Sequence, residues 1–276
     1  MSLRAAQDER YDYTPPSDDR PYFFNLLKPW SFARVTRLEG FGVGGVVQGN
    51  LHATTTLVIL FGCALVLVIG IVGVPLLRSG RPPMAAASFA WSLSCFALIG
   101  LGFMLMQISF LQRFSVYLGH PIYAFSIILF AMILFSGMGS LVSDRLEIGR
   151  HAWHVTIPIG VAVCLALLTA TAPSVLAVSV GSDLGARGLV VVALTAPPAF
   201  LAGFCFPLGI RIVRRVSPEA TAWMWGVNGA CSVLGSILAV ATSLWVGITA
   251  SLMAAVLAYL AFAEAARRLE RITRAS

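Results

Sequence analysis

The sequence predicts an all-α protein, a polytopic bundle of about seven transmembrane helices. Composition is the first observation behind this. Of 276 residues, 58% are hydrophobic and only 11% charged, where soluble domains carry roughly 25% charged residues. Mean hydropathy is correspondingly high, at +0.85. The second observation is length: several apolar runs reach the roughly 20 residues that a helix needs to cross a bilayer core. The third is punctuation, because arginines and prolines gather between those runs.

Residues 1–50 are read as a polar and interfacial N-terminal segment. Pro15, Pro16 and Pro21 bracket Ser17-Asp18-Asp19-Arg20, a composition for extended or irregular chain. Tyr22 to Arg34 mixes aromatics with Lys28 and Arg34, the pattern of a segment lying on a membrane surface. Gly40, Gly42, Gly44 and Gly45 lack the flanking strand and acid of a nucleotide loop, so a hinge before the first span is the reading. No signal-peptide pattern precedes that span.

The bundle is expected over residues 51–265. The first span runs from about Thr54 to Leu77, closed by Arg78, Arg81, Pro82 and Pro83. The second runs from about Ala86 to Leu111 and ends at Gln112-Arg113; the third runs from about Ile122 to Val142. The fourth covers about Trp153 to Thr171, and residues 173–187 either extend it or form a surface loop. The fifth, from about Gly188 to Val213, is expected to break at Pro197-Pro198 and again at Pro207, since proline removes an N–H and displaces a carbonyl. The seventh runs from about Gly247 to Ala263, ahead of a basic tail at 266–276.

The sixth span, Ser217 to Ser243, organises the rest. Ser217 is placed as N-cap, Pro218 at the first helical position and Glu219 in the first turn. Small residues then recur at four-residue spacing: Ala222, Gly226 and Ala230 on one row, Gly235, Ala239 and Ser243 on another, with Gly229 nearby. In lipid such rows let helix backbones approach closely. Asn228, Ser232 and Ser236 make a third, polar row, so this helix is expected to be surrounded by others.

Net charge is +7, and the 19 basic residues are arginines apart from Lys28. They stand at span ends and in the tails, which fits lipid headgroups and topology control rather than nucleic acid. Arg78, Arg81, Arg145, Arg150, Arg211, Arg214, Arg215, Arg267, Arg268, Arg271 and Arg274 fall on one side, and Arg113 and Arg187 on the other. The C-terminus is therefore expected in the cytoplasm, although the bases of the first fifty residues pull the opposite way. Cys63, Cys95, Cys164, Cys205 and Cys231 all lie in apolar runs without CxxC spacing, as small hydrophobes rather than disulfides or metal ligands.

The acids lie outside the apolar centres, whereas proton-coupled carriers place an ionisable group inside. The cavity candidate is Gly203-Phe204-Cys205-Phe206-Pro207-Leu208-Gly209 beside Asn228 and Ser232, where a broken helix frees carbonyls; a kink that only shapes packing is the alternative. Gln107 calls for a hydrogen-bond partner on another helix. His151 and His154 share a helix face but have no third ligand, so neither a metal site nor a cofactor is expected. There is no G-x-S-x-G, H-E-x-x-H or paired carboxylate set, which speaks against catalysis by this chain alone.

Four segments carry two family likenesses. Gly139-Ser140-Leu141-Val142-Ser143-Asp144-Arg145-Leu146-Glu147-Ile148-Gly149-Arg150 is similar to the cytoplasmic loop signature of major-facilitator transporters, with Ser140 where the first glycine stands in that family. The resemblance implies a major-facilitator-like half-bundle in which Asp144, Arg145 and Arg150 set loop geometry. More specifically, Asp18-Asp19-Arg20-Pro21-Tyr22-Phe23-Phe24, Gly203 to Gly209 and Ala222 to Ala230 resemble the membrane portion of bacterial proteins that join a spermidine synthase-like domain to transporter-like helices. That domain's glycine-rich loop and catalytic acids are not among these residues. The resemblance implies a multi-pass protein of a bacterial inner membrane that anchors or partners a synthase- or methyltransferase-like protein. The alternative it implies is a transporter-like module for a polyamine or other small organic solute. Seven spans are half of a typical transporter, which points to self-association or a partner bundle.

Overall fold

The computed structural model describes residues 15–22, 46–147 and 152–275. They form seven long helices: α1 (Val46–Ser79), α2 (Ala86–Leu118), α3 (Pro121–Ser143), α4 (Trp153–Ser179), α5 (Leu184–Val216), α6 (Thr221–Trp245) and α7 (Ile248–Ala275). All seven are long and apolar enough to cross a membrane, and the chain is a multi-pass membrane protein. Among the described residues the only β pairing is one isolated bridge, Ser17 with Arg20.

Short connections fold consecutive helices antiparallel. Gly119 ends α2 with φ +75°, a conformation that favours glycine, and its N–H bonds the Ser115 carbonyl. His120 then accepts from the Ile122 N–H at 3.3 Å, with Pro121 at the first position of α3. Alternation puts the C-terminal ends of α1, α3, α5 and α7, which carry most of the arginines, at one end of the bundle. Residues 15–22 and Arg113 lie at the other.

Helix α2 is the hub, packing on α6, α7, α3 and α5, while α1 rests mainly on α6. Glycines set the closest approaches. A Cβ on Gly100 of α2 would strike the Asn228 carbonyl and come within 2.8 Å of Ser232 Oγ on α6. Gly235 of α6 returns the contact against the Leu101 backbone at 3.0 Å. Between α3 and α5 the arrangement is reciprocal: Gly139 lies on the Phe200 carbonyl, and Gly203 lies on Ser136. Gly102 sits beneath the ring of the fully buried Tyr259.

Several boundaries differ from the expectations, each for a physical reason. Helix α1 begins inside the segment read as polar, and α2 continues through Arg113 to Leu118 because that arginine has partners at the bundle end. Residues 173–179 extend α4, with Pro173 inside it. Helix α5 runs unbroken past Pro197, Pro198 and Pro207, since packing against α3 holds the backbone where proline removes a bond. Ser217 does not cap through its side chain; its hydroxyl donates to Glu219 Oε2 at 2.8 Å, and a 3-10 turn, Pro218–Ala220, leads into α6. The basic tail is helical through Ala275 as part of α7. The surface segment expected from residue 23 onward, the glycines at 40–45, Arg150 and His151 lie outside the described residues.

Candidate functional site

The polar site that the structure assembles lies where the N-terminal segment meets the bundle. Ser17 and Arg20 close a tight turn through Ser17 N–H to Arg20 O (3.2 Å) and Arg20 N–H to Ser17 O (2.9 Å). The turn presents Asp19 to the start of α7. The Asp19 carbonyl accepts the Ile248 N–H at 2.9 Å, and its Oδ1 accepts both the Thr249 N–H (2.8 Å) and the Thr249 hydroxyl (2.5 Å). A residue far away in sequence thus caps α7, satisfying orphan N–H groups and placing negative charge at the helix start.

Arg113 completes the clamp. Its Nη2 donates to Asp19 Oδ1 at 2.9 Å and to Thr249 Oγ1 at 2.7 Å, and only 9% of its side chain is exposed. Gly247, with φ +133°, precedes α7 so closely that a Cβ there would collide with Asp19 Oδ2. Next to the clamp, Tyr117 donates to Ser179 Oγ (2.8 Å), and Arg187 donates to the Tyr117 carbonyl (3.0 Å). Burial pushes the Tyr22 phenol up to about 12.

A cleft of about 540 Å³ opens beside this clamp. Ser17, Asp18, Asp19, Arg113 and Thr249 form its polar side; Val116, Pro173, Leu176, Ala177 and Val180 form its apolar side, with Tyr117 between. The opposite end of the bundle is held differently. Arg211 donates to the Ser143 carbonyl (2.8 Å) and the Leu146 carbonyl (2.7 Å), closing the C-terminus of α3 from α5. His154 Nε2 pairs with Glu270 Oε2, both largely buried, joining α4 to α7. Arg268 stacks over the Trp91 ring at 5.0 Å and also binds Glu264.

The residues that sequence reasoning grouped as a cavity are distributed over separate contacts. Gly203 faces α3, and Cys205 is buried toward the bundle centre. Asn228 donates to the Phe96 carbonyl at 3.1 Å, and Ser232 donates back to the Asn228 carbonyl at 2.8 Å, both at the α2–α6 contact. Pro207 is half-buried within continuous helix. A void that touches Cys95, Cys205 and His154, toward the end of the bundle where His154 pairs with Glu270, holds only about 10 Å³. Gln107 is half-buried and has no side-chain hydrogen bond among the described residues. Asp144 and Arg145 are exposed in the turn that Arg211 secures. Of the packing residues, Gly235 and the buried Ala230 sit within α6 contacts, a Cβ on Gly226 would lie 3.5 Å from Ile71 of α1, and a Cβ on Gly229 would meet nothing within 4 Å.

Sequence reasoning missed Arg113, Thr249, Gly100 and the His154–Glu270 pair as interacting groups. The available signal was that Arg113 and Arg187 stand on the arginine-poor side, where a charge calls for a partner. Among the described residues, no group of His, Cys, Asp or Glu could hold a metal ion. No family model, curated protein or solved structure matches the chain.

Proposed function

We propose that this chain is a membrane anchor, the partner subunit of a synthase- or methyltransferase-like protein. The observation that carries this reading is the clamp on Asp19. The stretch Asp18 to Tyr22 belongs to the resemblance with the spermidine synthase-like membrane proteins, and it is pinned to α2 and α7 rather than left as a loose leader. Close backbone contacts at Gly100, Gly139 and Gly203 support the reading of a packed scaffold.

The test is fractionation of cells lacking this chain. The synthase- or methyltransferase-like partner is expected to move from the membrane to the soluble fraction. Unchanged membrane attachment of that partner would end the anchor reading. In parallel, vesicles reconstituted with the chain are expected to show no uptake of polyamines or other small amines, and robust uptake would favour the transporter-like alternative.

A further inference from the structure

We infer that the cleft beside the Asp19 clamp binds an organic ammonium group carried on a hydrocarbon chain. Its polar wall has spare capacity of one kind only. Asp19 Oδ1 already accepts three donors, whereas Oδ2 receives none among the described residues. Asp18 is exposed on the same wall and has no ion pair among the described residues. Among the described residues that line the cleft, Arg113 is the one cation, and it is already bound to Asp19 and Thr249. The wall thus carries a net negative charge and open acceptors. The facing wall, which α4 supplies through Pro173, Leu176, Ala177 and Val180, offers only hydrocarbon among the described residues.

The volume, about 540 Å³, falls in the range of roughly 300–1,000 Å³ typical of small-molecule sites. Depth agrees with an amphiphile. Helix α2 has 33 residues, about 50 Å at 1.5 Å per residue, against a hydrocarbon core of about 30 Å. Arg113 stands near its end, at the level where head and tail of an amphiphile part. A carboxylate or phosphate head that carries no ammonium would meet Asp18 and Asp19 with like charge. A diamine of similar length would set its second charge against the apolar wall. A single ammonium on one chain fits both walls, whether it arrives as a lipid headgroup or as a soluble alkylamine. This inference goes beyond the anchor reading and does not depend on it.

The test uses the full chain in phosphatidylglycerol nanodiscs, titrated with butyl-, hexyl- and octylammonium and read by native mass spectrometry. Affinity is expected to rise with chain length, by up to about fourfold per methylene, with octanoate and 1,8-diaminooctane binding more weakly. Asp18→Asn should weaken octylammonium about fivefold, and Ala177→Trp, which fills the cleft, should abolish binding. Competition by added phosphatidylethanolamine assigns the site to a lipid headgroup; octylammonium binding undisturbed by that lipid assigns it to a soluble amine. Equal binding of octanoate and octylammonium, or wild-type affinity in both variants with unchanged thermal melting, would overturn the inference.

Discussion

Thr249 gives both its N–H and its hydroxyl to one oxygen of Asp19, at 2.8 and 2.5 Å, across a separation of 230 residues. The last helix is therefore capped by the N-terminal segment and not by its own flank. Arg113 adds a third donor to the same oxygen, so removing the carboxylate leaves a buried guanidinium and an open helix start together.

Asp19→Ala is accordingly expected to destabilise the protein by about 1–2 kcal/mol, the size of a lost helix cap. Stranding the Arg113 guanidinium, only 9% exposed, adds to that cost, an addition reduced because Asp19 itself is 40% exposed and Thr249 remains as an acceptor. Asp19→Asn keeps an acceptor and should lose about half as much. Gly247→Ala should mimic Asp19→Ala, because a Cβ at φ +133° is strained and collides with Asp19. Thermal unfolding in mild detergent reads all three, and equal melting of Asp19→Ala and wild type would remove the clamp from the account.

Gly203 and Gly229 make a matched pair of tests. Gly203 lies on the Ser136 backbone, whereas nothing lies within 4 Å of a Cβ at Gly229. Gly203→Ala must separate α3 from α5 and is expected to cost about 1–3 kcal/mol, as overpacking does. Gly229→Ala should be neutral or stabilising by up to about 1 kcal/mol through helix propensity. The same melting assay distinguishes them, and a reversed order would contradict the packing described.

His154 and Glu270 form a largely buried pair between α4 and α7. Removing one partner strands the other, so His154→Ala and Glu270→Ala should each cost more than an exposed ion pair does. The double variant should cost less than the sum of the singles, with a coupling of about 0.5–3 kcal/mol. Strict additivity in that cycle would show that the two groups do not interact.

Tyr22 has a pH signature. Its phenol is buried, and its pKa is raised from 10.0 to about 12. A raised acid pKa in the docked state means that the undocked segment loses its proton first. Docking is therefore full below pH 10 and weakens as pH rises from 10 toward 12. A spectrophotometric titration of wild type minus Tyr22→Phe should show a phenolate appearing near pH 12, and ionisation near 10 would mean the side chain is not buried.

The fold was legible because its signal is long and redundant: apolar runs that become helices of 23 to 34 residues, separated by glycine, proline and arginine, leave little choice but a helix bundle. Packing partners were less legible. The small-residue rows on α6 marked a close contact, yet the residue that allows it, Gly100, belongs to α2 and has no row of its own. Prolines in α5 indicated a break because local chemistry disfavours them in helices, and tertiary packing overrode that preference. The clamp was hidden for a different reason. Asp19 looked like part of a polar leader and Arg113 like a span end, and neither spacing nor periodicity links residues so far apart.

The most direct measurement of the anchor account is an affinity pull-down of the tagged chain from native membranes in mild detergent, read by mass spectrometry. The account predicts a stoichiometric soluble partner with a nucleotide-binding loop. Recovery of the chain alone, or only of further copies of itself, would contradict it.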